Sequence, residues 1–326
     1  MHVRRGPDFV EVTAPAKLNL FLEILGKRPD GFHEIETVMV PVSVYDTLVV
    51  RAELGEPPTG RIELECVTIA DPTRKASGEN SSPTEKLVPT EKLVPTEKLV
   101  PTGGENIVVR ALQALGRRAG IDRGAQVRLI KRIPVAAGMA GGSTDAAAAL
   151  AAGNLVWNLN LPASALAEIA AELGSDIPFF FAGGAALCRG RGERIEPLAV
   201  GGVLHLAVIA PPVGLSTAAV YRACRPAESP QCSAGLVDAV RRGDSVGMAR
   251  RLHNRLQPAA ESLSDWIERL KAEFARSDCL GSQMSGSGTS YFGVCRDARH
   301  ARRVAARLAS RGLGRTMALR TCAKNE

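Results

Sequence analysis

A chain of 326 residues exceeds the length at which one hydrophobic core usually stops growing, so two domains are expected. Hydrophobic residues make up 45% and charged residues 23%, and no stretch approaches the about 20 apolar residues of a membrane span, which excludes a disordered chain and a helical membrane protein. A net charge of +7 suits nucleic acid or an anionic small substrate, but with 4% aromatic residues no stacking platform accompanies the basic ones, which disfavours single-stranded nucleic acid. Residues 1–8 lack an apolar signal segment, and the seven cysteines are scattered without a Cys-x-x-Cys pair. A cytoplasmic protein with reduced thiols and no zinc site is therefore expected.

In chain order, residues 9–12 and 14–24 alternate like strands, with Lys17 and Asn19 projecting on one face and Leu18, Leu20 and Leu22 on the other. Arg28-Pro29-Asp30-Gly31 reads as a turn, Phe32-His33 follows it, and residues 38–50 resume strand alternation. Residues 53–104 break the pattern. Pro-Thr-Glu-Lys-Leu-Val stands there three times in tandem, starting at Pro83, Pro89 and Pro95. A six-residue period with proline in each copy suits neither helix nor central strand, so a flexible exposed insertion over about 70–104 is predicted. Its closure entropy grows by only about 0.6 kcal/mol per doubling of length, which the fold can bear. Residues 106–116 then read as a helix with Gly116 near its end.

The centre of the chain is strand-like residues 127–133, a glycine-rich loop and an alanine-rich helix over 146–152. The loop runs Pro134, Val135, Ala136, Ala137, Gly138, Met139, Ala140, Gly141, Gly142, Ser143, Thr144. Its glycines allow positive φ and close approach to a ligand, and Ser143 or Thr144 can cap a helix whose free amides would face an anion. That arrangement suits a di- or triphosphate. The spacing is neither Walker A nor Gly-x-Gly-x-x-Gly. Further on, residues 163–173 read as a helix stopped by Gly174, and Asp176 stands between that helix end and an apolar strand at 179–181. A new strand at 203–209 leads to Ser216-Thr217, a helix cap, with helices predicted over 237–251 and 262–276. A second Gly/Ser loop, residues 283–290, runs into a strand, and a terminal helix carries Arg299, Arg303, Arg307 and Arg311 opposite an apolar face, before a strand at 315–321.

The loop at 134–144 resembles the Pro-x-x-x-Gly-Leu/Met-x-Gly-Gly-Ser-Ser loop of the GHMP kinases, the superfamily of galactokinase, homoserine kinase and mevalonate kinase. Pro-Ala-Lys-Leu-Asn-Leu-Phe-Leu with Arg-Pro-Asp-Gly-Phe-His is similar to the opening of the branch that phosphorylates a cytidyl-diphosphate sugar alcohol in the non-mevalonate isoprenoid pathway, and Gly-Ser-Asp-Ile-Pro-Phe matches the same branch. The resemblance implies a two-domain α/β (α+β) fold, a ribosomal-protein-S5-like ATP-binding domain over 1–198 and a ferredoxin-like domain over 199–326. It implies ATP with Mg²⁺ held by residues 134–144 and Lys17 and Asp176 at the reacting hydroxyl. Asn19, Phe32, His33 and Thr217 would contact the substrate, with no metal held by protein ligands alone and no nucleic-acid or membrane partner. Phosphoryl transfer needs chiefly alignment, charge neutralisation and a group to accept the hydroxyl proton, which these residue types supply. Ala136, Ala137 and Ala140 stand where many members have glycine, and His253-Asn254-Arg255-Leu256 departs from the Asn-Asp-Leu seen at that point. Homoserine- or mevalonate-type kinases, and a non-catalytic basic binding protein, are the competing readings.

Overall fold

The structure is a computed structural model that describes residues 1–53, 60–68, 93–95 and 100–322. Strands β1 (His2–Arg5), β2 (Val10–Lys27), β3 (His33–Ala52) and β4 (Ile62–Thr68) open the chain, followed by the short β5 (Leu93–Pro95). Helix α1 (Ile107–Ala119), β6 (Ala125–Lys131), α2 (Gly141–Val156) and α3 (Ala163–Leu173) come next, then β7 (Ala186–Gly190) and β8 (Arg194–Pro197). The first sheet has the order β1-β2-β3-β6-β4, with β7 and β8 continuing from the far half of β3. Its core side is covered by α1, α2 and α3, where Leu112, Leu115, Leu150 and Trp157 meet Val12, Leu48, Val127 and Leu129.

The second half comprises β9 (His205–Ala210), β10 (Val213–Leu215), α4 (Thr217–Ala223), α5 (Ala234–Arg242), α6 (Ser245–Ala249), β11 (His253–Asn254), α7 (Gln257–Leu263), α8 (Asp265–Ala275), β12 (Gly281–Met284), β13 (Tyr291–Cys295), α9 (Ala298–Ala309) and β14 (Arg315–Arg320). Its antiparallel sheet has the order β12-β13-β9-β14, which in chain order is 2-3-1-4, the ferredoxin-like arrangement. The two halves interlock: β11 pairs parallel with Phe21 and Leu22 of β2, and Thr321 bridges Val42.

The strands predicted at 9–12 and 14–24 are one continuous β2, which tolerates Pro15 because a bulge lies between Pro15 and Ala16. A second irregularity between Asn19 and Phe21 changes the expected alternation. Leu18 and Leu20 share a core with Phe21, whereas Leu22 shifts to the side of Lys17 and Asn19 and lines the same cleft. The α1 prediction placed its stop at Gly116, but that glycine is inside the helix and Gly120, at φ +65, ends it. The single helix expected over 237–251 is broken at Gly243, φ +69, into α5 and α6. That expected over 262–276 is α8, capped by Ser264 after α7. The hexapeptide repeat falls outside the described residues apart from Leu93–Pro95 and Val100, and Leu93–Pro95 pairs antiparallel with Val213–Leu215.

The departure at Arg255 is answered by a local ion pair. Glu23 of β2 is fully buried, and Arg255 donates to both its oxygens at 2.7 and 2.9 Å while the amides of Ile24 and Gln231 donate at 2.9 Å. Burial alone would raise the Glu23 carboxyl, but the Arg255 and amide hydrogen bonds outweigh it and hold it at about 2 against 4.5. A depressed carboxylate contributes stability that is complete above its unfolded value and lost as pH falls through its folded one. Acid unfolding should therefore include a limb between pH 4.5 and about 2. In Glu23→Gln that limb should flatten, with neutral-pH stability lower by about 2–3 kcal/mol, as denaturant melts across pH would read.

Candidate active site

The geometry of the site begins with β2. Lys17 is 3% exposed, and its Nζ donates to Asn19 Oδ1 at 2.6 Å and lies 3.2 Å from Asp176 Oδ2. Asn19 in turn donates through Nδ2 to Thr37 Oγ1 at 2.8 Å, and Thr37 donates to Phe21 O at 2.6 Å, so the lysine's partner is itself anchored across the β2–β3 pair. Asp176 reaches this point because α3 ends at Gly174 and the chain turns at once. The apolar strand expected over 179–181 is instead a 3₁₀ turn, Pro178–Phe181, with Phe179 and Phe180 buried in the core. Proline at its first position fixes a helical φ and lacks the N–H a strand ladder would use. The turn therefore serves as a buried foot that fixes Asp176.

Opposite this pair lies the glycine-rich loop. Gly138 takes φ +72, and a Cβ there would come within 2.2 Å of Ser285 O, so only glycine fits between the two loops. Ala136 and Ala140 adopt φ +53 and +55, left-handed values that cost an L-residue about 1–2 kcal/mol. The helix is longer than expected and begins at Gly141 with Ala140 as its unassisted N-cap, so neither Ser143 nor Thr144 caps it. The first helical bond runs from Thr144 N to Ala140 O, which leaves the amides of Gly141, Gly142 and Ser143 ahead of the ladder. Met139 O accepts from Lys17 N at 3.1 Å, tying the loop to β2.

Both elements face one cleft of about 1140 Å³, lined by Lys17, Asn19, Phe32, His33, Asp176 and Thr217 together with Pro134, Val135, Ala136, Ala137, Gly138, Ala140, Gly141, Gly142 and Ser143. Met139 and Thr144 are the two predicted loop residues that do not line it. Met139 packs into the core and Thr144 is fully buried. Several groups outside the predicted site residues also hold the cleft together. Ser285 Oγ accepts from Asn19 N at 3.2 Å and donates to Gly138 O at 3.1 Å, and Asn254 Nδ2 donates to Met284 O and Gly286 O, so the C-terminal loop is fastened to both Lys17's strand and the glycine loop. Beneath the loop, Lys131 is buried between Asp46 and Asp145, bonding Asp145 Oδ2 at 2.6 Å and Asp46 Oδ2. Burial raises the Asp145 carboxyl, Lys131 pulls it down, and Asp46 pushes it up again. Asp145 Oδ1 and Thr144 Oγ1 are buried without a hydrogen-bond partner among the described residues.

The arm of the cleft beyond Lys17 is aromatic. Phe32 is 49% exposed, the His33 and Tyr221 rings stand 5.3 Å apart, and Arg191 lies over the Phe32 ring at 4.7 Å. Burial and then the charge of Lys27 lower the His33 imidazole below its ordinary value, which keeps it neutral near pH 7. Thr217 Oγ1 is 2.9 Å from Ser287 Oγ, joining α4, capped by Ser216, to the C-terminal loop. The cleft is also walled by Asn106, Ile107, Leu129 and Lys131.

Residues 106–184 match the GHMP kinases N terminal domain and residues 236–313 the GHMP kinases C terminal domain. Over 300 residues the chain is 40% identical to a 4-diphosphocytidyl-2-C-methyl-D-erythritol kinase of Pelotomaculum thermopropionicum, covering 91% of this chain and 93% of that one. The chain belongs to the 4-diphosphocytidyl-2-C-methyl-D-erythritol kinase family of GHMP kinases. A crystal structure of 4-(cytidine 5'-diphospho)-2C-methyl-D-erythritol kinase superposes on this member of the family with a TM-score of 0.71 at 30% identity, covering 96% of this chain and 99% of that one. A homoserine kinase from Cytophaga hutchinsonii superposes with a TM-score of 0.70 at 17% identity, covering 99% and 97%, and shows the shared fold alone.

The conformations of the glycine loop make opposite predictions for neighbouring residues. Gly138→Ala meets both a left-handed φ and the Ser285 carbonyl, and should lower stability by about 2–4 kcal/mol from strain and overpacking together. Ala140→Gly relieves a Cβ penalty at a modest entropic cost and should raise the melting temperature by about 1–3 °C. Thermal melts of the two variants beside the wild type would read both signs.

Proposed function

We propose that this enzyme transfers the γ-phosphate of ATP to the 2-hydroxyl of 4-diphosphocytidyl-2-C-methyl-D-erythritol, in the cytoplasm, with residues 1–198 as the ATP-binding domain and 199–326 as the second domain. The observation that carries the reading is the Lys17–Asp176 contact of 3.2 Å in one cleft that is also lined by the N-terminal residues of α2 and by Phe32, His33 and Tyr221. ATP lies with its phosphates against Gly138–Ser143, where the leading amides of α2 and its positive end neutralise anionic oxygens. Its base occupies the arm walled by Ile107 and Leu129. The cytosine of the substrate stacks on Phe32 and takes a hydrogen bond from neutral His33, while Asn19 and Thr217 orient the sugar alcohol. The acceptor hydroxyl then sits beside Asp176. Asp176 accepts its proton, and Lys17, whose ammonium is shielded from water, stabilises the charge that develops on the alkoxide and the γ-phosphate.

Mg²⁺ fits this donor set. Asp145 Oδ1 is a buried hard oxygen without a partner among the described residues, it belongs to a residue that lines the cleft, and Ser143 also lines it. Among the described residues no cluster of three His, Cys, Asp or Glu could hold a metal alone, so the ion would be shared with the nucleotide phosphates. When bound it neutralises phosphate charge. Of the four terminal arginines, Arg303 pairs with Asp278 and Arg311 with Glu273 at 3.4 Å.

A coupled ADP-release assay with magnesium and ATP should show turnover with the cytidyl substrate and none with homoserine or mevalonate. Asp176→Asn and Lys17→Met should each lower kcat by at least about 100-fold with unchanged melting curves. ADP release with homoserine or mevalonate alone would overturn the substrate assignment, and near-wild-type turnover in either variant would overturn the site.

A further inference from the structure

Among the described residues five cations line the cleft, and their pairing is unequal. Lys17 is committed to Asp176, and Lys131 to Asp46 and Asp145. Lys27, Arg191 and Arg222 make no ion pair among the described residues; Arg191 lies over Phe32, the charge of Lys27 acts on His33, and Arg222 follows Tyr221 in α4. Arg191 is the most constrained of them. Its guanidinium lies on the Phe32 ring at 4.7 Å, and among the described residues its only other side-chain bond is a long one, 3.5 Å to Ala171 O. Asp30 feels its charge, but that carboxylate is held by Arg28 at 3.1 Å. The backbone around Arg191 is fixed as well. Gly190 and Gly192 take φ +76 and +120, Arg191 N donates to Glu193 Oε2 at 2.6 Å, and a Cβ on Gly192 would stand 3.7 Å from Asp176 Oδ1. The turn that carries Arg191 is therefore packed against the carboxylate at the transfer point.

An arginine that is stacked but not paired, half-buried, and one residue from the Asp176 contact has donors to spare for an anion. Its planar fork can stack on an aromatic face and bind phosphate oxygens at the same time, which a lysine cannot do. We infer that Arg191 is a substrate-binding residue that grips the diphosphate of the cytidyl substrate while holding the Phe32 ring in place for the base. The inference rests on the kinase reading above and adds to it the group that recognises the acceptor's own phosphates, as distinct from those of ATP. Lys27 and Arg222 contribute an electrostatic rim and no fixed contact.

Calorimetry on the full chain, saturated with a non-hydrolysable ATP analogue and Mg²⁺ to fill the nucleotide arm, would compare cytidine diphosphate with cytidine in wild type, Arg191→Ala and Arg191→Lys. Wild type should bind the diphosphate more tightly than the nucleoside. Arg191→Ala should lose about tenfold or more for the diphosphate and less than about threefold for cytidine, and Arg191→Lys should recover part of that loss because it keeps the charge. Equal losses for both ligands would mean that Arg191 only props Phe32, and no loss would mean that it touches neither; both outcomes reject the inference. Turnover of the cytidyl alcohol by wild type is scored in parallel. Turnover with unchanged diphosphate binding in Arg191→Ala rejects Arg191 alone, whereas absent turnover rejects the kinase reading and leaves the binding comparison to judge Arg191.

Discussion

A buried ammonium must be matched by partners, and the arrangement around Lys17 follows from that requirement. At 3% exposure the lysine has exchanged water for Asn19 Oδ1 at 2.6 Å and Asp176 Oδ2 at 3.2 Å. An unpaired charge there would cost several kcal/mol or lose its proton. Each partner has a reason to be in place: Asn19 through Thr37 and the β2–β3 ladder, Asp176 through the buried 3₁₀ turn behind it. The glycine loop and the C-terminal loop converge on the same point, Met139 O on Lys17 N and Ser285 between Asn19 N and Gly138 O. Residues more than 250 positions apart in sequence thus share one polar junction, and it is there that we propose phosphoryl transfer, which is mostly alignment and charge, to take place.

Much of this was legible in the sequence because the signals are local. The turn before Phe32 and His33, the glycine loop between a strand and an alanine-rich helix, and the aspartate between Gly174 and Pro178 are each fixed by residues within a few positions. Of the predicted site residues, Lys17, Asp176, Asn19, Phe32, His33, Thr217 and nine of the eleven loop residues line one cleft. The strand order of the second sheet is the ferredoxin-like one that the family resemblance implies.

What the sequence concealed is long-range or geometric. A bulge at Leu20 cannot be seen in a run of alternating leucines, yet it moves Leu22 to the face of Lys17. Local hydrophobicity read Phe179–Phe181 as a strand, and Pro178 decides otherwise. Ser143 and Thr144 are good capping residues by type, but the helix starts two residues before Ser143, on an alanine in a left-handed conformation. Asp46 and Lys131 are 85 residues apart, and nothing in either neighbourhood announces their pairing. Arg255 looked like a loss against the family pattern and proves to be the partner of Glu23, a buried acid with no local signal of its own.

The central claim is that Lys17 and Asp176 act as one unit on the reacting hydroxyl. A double-mutant cycle on kcat, with Lys17→Met, Asp176→Asn and the pair in single-turnover assays, tests it most directly. If the two act together, the double variant should be no slower than the slower single variant by more than about threefold. Losses that multiply, each variant slowing the other as it slows the wild type, would mean that the residues work independently, and would contradict the account.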